Sequence, residues 1–237
     1  MLKQIFQRFS VVIRDQGIKA AVLKIGTLAR RRPQRAGVDD FDATYETETS
    51  TIVPLWRLAI PSRNAKFGVR YQTITPSEFL SVLGKVQEDA QSLVFIDLGC
   101  GKGRTLILAA KQGFKKVLGV EFSPELAAIA RENLRRAGAT AEVVEMDACH
   151  FNPPDDNLLI YMYNPFGDQI VGSVVDNLRR WATQGNRKAY VIYVNPVCRR
   201  RFDLATEFQV LVNEGGLCVW RLQDASIHGG SPAGTGQ

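Results

Sequence analysis

Short apolar runs alternate with amphipathic segments between residues 93 and 222, and this is the most regular hydrophobic pattern in the chain. An apolar run bounded by polar residues is typical of a strand buried on both faces of a parallel sheet. Such runs predict strands at 93–97, 116–121, 141–146, 158–163 and 189–194, with helices between them at 104–112, 123–137 and 168–183. Two further strands, at 208–213 and 217–222, indicate a closing hairpin. This alternation predicts an α/β fold: a doubly wound, mostly parallel, seven-stranded sheet with a C-terminal antiparallel hairpin.

The first 36 residues follow a different pattern. Apolar residues recur at three- and four-residue spacing through residues 2–13 and 18–29, which predicts a helical arm within residues 1–32. Residues 1–36 carry nine Lys/Arg and one acidic residue, whereas the rest of the chain is close to neutral. Two interpretations stay open: a basic amphipathic helix on an anionic membrane or a partner, or a helical cap on the following domain. The near-neutral body argues against a nucleic-acid-binding surface.

The remaining segments set the predicted domain bounds. Residues 37–76 show weak periodicity and are interpreted as a linker or lid segment. A helix is predicted over 77–90, with Ser77 as its N-cap. The Rossmann-like domain then extends over 77–223, and the Gly/Ser/Pro-rich residues 224–237 predict a disordered tail.

Composition excludes several classes of protein. Hydrophobic residues make up 45% of the chain and charged residues 23%, which excludes a wholly disordered chain. No apolar run approaches the roughly 20 residues that span a bilayer. The four cysteines form no CxxC pair, and the chain has only two histidines, so we expect no metal site and reduced cysteines.

A glycine-rich loop at residues 97–104 connects a predicted buried strand to a predicted helix. Glycine at positions 99 and 101 permits a tight turn and a close approach of ligand to backbone. A dinucleotide fingerprint would carry a further Gly where Arg104 stands. Acids also end the next two predicted strands, at Glu121 and Asp147. An acidic edge of this kind favours a ligand with hydroxyls, amines and positive charge over a pyrophosphate.

These motifs resemble those of the class I S-adenosylmethionine-dependent methyltransferases, over roughly residues 71–222. The segments FIDLGCGKGR, GVEFSPE and VVEMDACHF resemble three family motifs in order. The resemblance implies that the glycines pack against the methionine half of the cofactor, that Glu121 holds the ribose hydroxyls and that Asp147 binds the adenine amino group. It assigns nine cofactor-binding positions at the three strand ends: Asp97, Gly99, Cys100, Gly101, Gly103, Glu121, Phe122, Asp147 and Ala148.

The segment YMYNPF resembles the family's fourth motif, which faces the methyl group. In family members that act on amino nitrogen, a similar turn accepts hydrogen bonds from the target amine. The resemblance therefore implies catalytic roles for Asn164, Pro165 and Phe166, with the Asn164 amide oxygen as acceptor and Phe166 packed on the target. The alternative is a simple Asn-Pro turn. This sequence has one Pro where base-modifying enzymes have two, which puts transfer to a nucleic-acid base in doubt.

Tyr71 and Thr73 resemble the Tyr-x-x-Thr preamble of non-SET protein lysine methyltransferases, where such residues close over the cofactor's methionine carboxylate. Lys102 and Arg104 are interpreted either as further contacts to that carboxylate or as a solvated basic pair. His150 is either a general base or an ordinary residue at a strand end.

The sequence therefore predicts an enzyme that transfers a methyl group from S-adenosylmethionine to a nucleophile, leaving S-adenosylhomocysteine. We expect an amine as acceptor, carried by a protein, in a cytoplasmic setting. The alternatives are a small-molecule or lipid-linked acceptor, with peripheral membrane association through residues 1–32, and a non-catalytic cofactor-binding module. A nucleic-acid partner is not expected, and a nicotinamide oxidoreductase is a remote alternative.

Overall fold

The computed structural model describes residues 39–51, 73–185 and 187–222. The predicted arm, Tyr71 and the predicted tail at 224–237 lie outside these residues. Within them, no helix is both long and apolar enough to cross a membrane.

The described strands form one seven-stranded sheet in the order β3-β2-β1-β4-β5-β7-β6. The strands β1 to β5 are parallel, and β7 pairs antiparallel with both β5 and β6. The predicted fold class is therefore confirmed. The order reverses between β1 and β4, and ligands of doubly wound sheets bind outside the carboxyl ends of the strands at such a switch point. The strands are β1 Val94–Leu98, β2 Lys116–Glu121, β3 Glu142–Glu145, β4 Leu158–Tyr163, β5 Ala189–Val194, β6 Phe208–Glu214 and β7 Leu217–Leu222.

Helices cover the sheet on both sides, with one apolar cluster on each face. On one side the cluster contains side chains of α5, and on the other it contains side chains of α2, α3 and α4. Alternate residues of β1 supply both clusters, because successive side chains of a strand point to opposite faces. The α-helices are α1 Phe41–Tyr45, α2 Pro76–Leu83, α3 Arg104–Ala110, α4 Pro124–Arg136, α5 Asp168–Ala182 and α6 Arg200–Asp203.

The helix predicted over 77–90 is shorter and begins earlier than expected. Thr75, not Ser77, is the N-cap of α2: its hydroxyl accepts from the Glu78 N–H, and the Glu78 carboxylate accepts from the Thr75 N–H. This capping box, with Pro76 at the first helical position, outcompetes the serine two residues further on. The short helices α1 and α6 were not predicted, since each has too few residues to show a period.

Candidate functional site

The turn after β1 is built from three glycines in the left-handed region. The φ angles are 86° at Gly99, 53° at Gly101 and 82° at Gly103, a conformation that other side chains rarely adopt. A Cβ at Gly99 would lie 2.5 Å from Cβ of Pro165. The glycine is therefore required by space as well as by conformation. The same contact brings the turn after β4, with Pro165, directly against the glycine turn.

The Glu121 carboxylate ties the end of β2 to this glycine turn. It accepts hydrogen bonds from the backbone N–H of Gly101 and of Ser123, both at 2.9 Å. Burial raises the pKa of Glu121 to about 7, although the backbone N–H groups that it accepts from act in the opposite direction. Glu121 is thus held in one position, at the carboxyl edge of the sheet beside the turn.

Asp147 lies one strand further along the same edge. Its side chain caps the short 3-10 helix Ala148–His150 by accepting from the Cys149 N–H at 3.1 Å. The Met146 N–H donates to the Glu121 carbonyl at 2.9 Å, so the chain leaving β3 stays paired with the end of β2. The two acids assigned to the ribose and the adenine consequently occupy neighbouring strand ends.

Asp97 is buried in β1 and faces a small cavity of about 20 Å³, whose lining also includes Thr73, Arg104 and Tyr161. The Asp97 carboxylate accepts a hydrogen bond from the Thr105 hydroxyl. Burial raises the pKa of Asp97 to about 7, and the nearby charge of Glu121 adds to the effect. No ion pair to Asp97 is present among the described residues.

Lys102 and Arg104 are buried, with only 1% and 3% of their surface exposed, so their interpretation as a solvated pair is wrong. Lys102 forms an ion pair with Glu48. The Arg104 guanidinium donates to the hydroxyls of Thr49 and Ser50, at 2.8 Å and 2.9 Å. Both cations thus anchor residues 42–50, which we call the strap, onto the start of α3.

The strap is held in shape by its own acid, Asp42. The Asp42 carboxylate accepts from the Thr49 N–H at 2.9 Å, the Thr49 hydroxyl at 2.6 Å and the Ser50 N–H at 2.8 Å. Burial would raise the pKa of Asp42, but these hydrogen bonds and one from Thr47 hold it at about 2. Sequence reasoning missed the strap. The residues that form it, Asp42 and the threonines after it, have the local pattern of a polar linker.

The turn after β4 differs from the glycine turn in keeping a side chain at its strained position. Asn164 has a φ of 41°, and Asn195 repeats this after β5 with a φ of 50°. The Tyr193 hydroxyl donates to Oδ1 of Asn164 at 3.5 Å. Phe166 is 7% exposed and packs within the apolar cluster on the α5 side.

The other predicted positions have mixed surroundings. Cys100 and Ala148 are buried, and Phe122 is partly buried beside Glu121. His150 is exposed, with its ring nitrogen 3.5 Å from Sγ of Cys149. Sequence reasoning also missed Gly119 in β2, where a Cβ would lie 2.7 Å from Sγ of Cys100.

A doubly wound sheet with a glycine turn after β1 and acids after β2 and β3 defines the class I methyltransferase architecture, and comparison with known proteins agrees. Residues 95–185 match the family model described as "Methyltransferase domain". The ribosomal protein L11 methyltransferase of Deinococcus radiodurans is 29% identical over 157 residues, which cover 62% of this chain and 55% of that protein. The corresponding protein of Haemophilus influenzae is 31% identical over 124 residues, or 49% of this chain and 42% of that protein.

Among solved structures, a predicted N6-adenine-specific DNA methylase from Listeria monocytogenes matches with a TM-score of 0.50 and 14% identity, covering 63% of this chain and 51% of that one. The chain spans about half the length of the two curated relatives described above. Residues 95–185 therefore belong to a methyltransferase domain, and its sheet has the topology of the class I enzymes, whose cofactor is S-adenosylmethionine. The described residues fit that cofactor, because Glu121 lies against the glycine turn and the carboxylates of Asp97, Glu121 and Asp147 can accept hydrogen bonds from its hydroxyls and amines.

Proposed function

We propose that the protein transfers a methyl group from S-adenosylmethionine to an amine nitrogen on a protein. The observation that carries this proposal is the contact between two turns, in which Pro165 leaves no room for a Cβ at Gly99. Because of this contact, Asn164 adjoins the cofactor loop. An amine held by Asn164 would therefore lie close to the methionine half of the cofactor.

The cofactor-binding roles follow from hydrogen-bonding capacity. A carboxylate accepts from two neighbouring hydroxyls, which suits Glu121 to the ribose diol, and Asp147 can accept from the adenine amino group. Both acids are held by backbone N–H groups before any ligand arrives. This preorganisation lowers the ordering cost of binding.

The chain's contribution to methyl transfer is mainly positioning. Bound S-adenosylmethionine supplies a methyl group already activated by its sulfonium. Asn164 Oδ1 can accept a hydrogen bond from the amine while the Tyr193 hydroxyl donates to the same oxygen, because an amide oxygen has two lone pairs. That arrangement would orient the nitrogen lone pair toward the methyl group. A neutral amine needs no general base in the transfer step, since its proton can leave to solvent afterwards.

The proposal of a protein acceptor has further support from the curated relatives, which are named for methylation of ribosomal protein L11. The single proline after Asn164 also separates this turn from that of base-modifying enzymes. A cytoplasmic location, and a membrane or partner contact through residues 1–32, are further parts of this proposal. They rest on the sequence pattern of the arm.

Transfer of radiolabelled methyl groups into a fractionated extract of the source cell tests the proposal, with the Gly101→Asp variant as background. We expect protease-sensitive label that is retained as a methylated amine after acid hydrolysis. Label that is sensitive to ribonuclease or deoxyribonuclease, or that partitions into organic solvent, would overturn the protein acceptor. Tight binding of S-adenosylhomocysteine with no label in any fraction would instead favour the non-catalytic module.

A further inference from the structure

Tyr161 in β4 is a buried tyrosine whose hydroxyl has no hydrogen-bond partner among the described residues. The side chain is fully buried, and its ring is held between Phe79 and Phe95, with centroid distances of 5.7 Å and 6.0 Å. Leaving a buried hydroxyl without a partner costs about 1–3 kcal/mol. Such a group in a well-packed core therefore calls for an explanation.

Tyr161 lines a cavity that is also lined by an acidic residue, Asp97. Tyr161 pairs in register with Asp97 of the adjacent parallel strand, so the two side chains point to the same face of the sheet. Both line the cavity beside the glycine turn. Its volume of about 20 Å³ is room for one water-sized polar group.

The chemistry of the lining favours a cation in this cavity. Asp97 has no ion-pair partner among the described residues, and burial together with the nearby Asp97 charge raises the pKa of Tyr161, so the phenol stays neutral. The Arg104 guanidinium is directed to Thr49, Ser50 and the Ile74 carbonyl. A neutral phenol oxygen and a carboxylate are both acceptors for an ammonium group.

We propose that Tyr161 is a cofactor-binding residue whose hydroxyl oxygen, together with the Asp97 carboxylate, accepts hydrogen bonds from the α-ammonium group of S-adenosylmethionine. This inference rests on the proposed function. If Glu121 and Asp147 hold the ribose and the adenine at the ends of β2 and β3, the amino-acid end of the cofactor lies toward β1 and β4. β1 contributes Asp97 to the cavity lining, and β4 contributes Tyr161 and Tyr163. Of the two tyrosines, Tyr161 is the one whose buried hydroxyl has no hydrogen-bond partner among the described residues.

Binding of two ligands distinguishes a contact with the α-ammonium group from a general effect on the cofactor site. S-Adenosylhomocysteine carries the α-ammonium group, whereas 5′-methylthioadenosine has the same adenosine and sulfur but no amino-acid portion. The substitution is Tyr161→Phe in the full chain, measured by calorimetric titration with each ligand and by thermal unfolding without ligand. The matched control is Tyr190→Phe, because the Tyr190 hydroxyl donates to Glu88 at 2.6 Å at the opposite end of the sheet.

For Tyr161→Phe we expect about tenfold weaker binding of S-adenosylhomocysteine and unchanged binding of 5′-methylthioadenosine. The melting temperature without ligand should stay the same or rise, because the hydroxyl has no hydrogen bond to lose within the part of the chain that the structure describes. Tyr190→Phe should show the reverse, with a lower melting temperature and unchanged affinity for both ligands.

Unchanged affinity of Tyr161→Phe for S-adenosylhomocysteine would overturn the inference and leave the proposed function intact. An equal loss for both ligands, or a lower melting temperature without ligand, would show a packing role and would overturn it as well. A wild-type chain that binds neither ligand would overturn the proposed function itself.

Discussion

The turns in the two halves of the sheet edge use different residue types at their left-handed backbone positions. After β1 the left-handed positions are glycines, and at Gly99 a Cβ would collide with Pro165. After β4 and β5 the left-handed positions are Asn164 and Asn195. Asparagine is among the few residues other than glycine that tolerate this conformation. The half assigned to the cofactor thus has no side chains at its left-handed positions, and at Gly99 this lets Pro165 pack against the turn. The other half keeps a polar side chain at some conformational cost, which is expected if that side chain has a function.

The largest effect on cofactor affinity is expected in the glycine turn, where this comparison depends on the absence of side chains. Gly101→Asp adds a carboxylate at a φ of 53°, next to the N–H that donates to Glu121. Like charges at this separation repel, and the new side chain occupies space proposed for the cofactor. We expect S-adenosylhomocysteine affinity to fall by at least about 100-fold, measured by calorimetry, which is more than one lost hydrogen bond would cause.

Gly113→Asp is the control for that substitution. Gly113 also has a positive φ, of 76°, but beyond its chain neighbours no atom of the described residues lies within 4 Å of the Cβ that it would carry. Its replacement should cost stability through the backbone alone and leave affinity unchanged. Equal affinity in wild type and Gly101→Asp would remove the glycine turn from the cofactor site.

The second effect concerns the retained side chain. Asn164→Ala and Asn164→Gly should both lower the methyl-transfer rate about 30-fold, the effect of removing one hydrogen bond of about 2 kcal/mol to an amine that gains charge in the reaction. Alanine keeps the left-handed strain and glycine relieves it, so equal losses would assign the effect to the amide. S-Adenosylhomocysteine affinity should not change in either variant.

Asn195→Ala provides the comparison at the next strand end. It has the same backbone conformation, and its loss should affect stability rather than transfer if the catalytic role belongs to Asn164. Full transfer activity in Asn164→Gly would take Asn164 off the list of catalytic residues and leave it as a simple Asn-Pro turn.

The third effect is a pH dependence of the cofactor half. Burial raises the pKa values of Asp97 and Glu121 to about 7 in the folded protein, from the ordinary values of 3.8 and 4.5. The folded state therefore holds more protons than the unfolded state between about pH 4 and 7, so the stability of the unliganded protein falls as the pH rises through this window. A ligand that donates hydrogen bonds or carries an ammonium group favours the ionised acids.

S-Adenosylhomocysteine affinity should accordingly rise with pH and level off above about pH 7. For each linked acid the change approaches tenfold per pH unit below its pKa. Titrations from pH 5.5 to 8.5 in wild type and Asp97→Asn measure the linkage, and the variant should show a smaller slope. A flat profile in wild type would mean that neither acid contacts the ligand.

Regular elements of this fold follow from local pattern, whereas the strap does not. The strands β2, β4, β5 and β7 have the predicted bounds because their apolar runs end at polar residues. The sequence also indicated the acids at 121 and 147, since each follows such a run. By contrast, the strap depends on Lys102 and Arg104, more than 50 positions away in the chain. No local signal shows that two basic residues in a glycine loop are buried.

Tyr161 illustrates the same limit inside a correctly predicted strand. In the sequence it is one residue of an apolar run, and its register opposite Asp97 becomes visible only when β4 is placed beside β1. The start of α2 shows a smaller limit of prediction from sequence. Thr75 and Ser77 are both acceptable caps by residue type, and the reciprocal bonds of Thr75 with Glu78 decide between them.

The smallest expected effect tests whether the strap supports the cofactor half. Asp42→Asn replaces one of the two accepting carboxylate oxygens with an amide NH2, so that either the Thr49 or the Ser50 N–H faces a donor instead of an acceptor. We expect a loss of about 1 kcal/mol in the free energy of unfolding, measured by urea denaturation, and a severalfold weaker affinity for S-adenosylhomocysteine. Asp40→Asn is the matched control, because the Asp40 side chain makes no capping hydrogen bond to α1 and its replacement should change neither quantity. If Asp42→Asn lowers stability but leaves affinity unchanged, the strap stabilises the fold without ordering the glycine turn, and the preorganisation of the cofactor half then rests on Glu121 and the glycines alone.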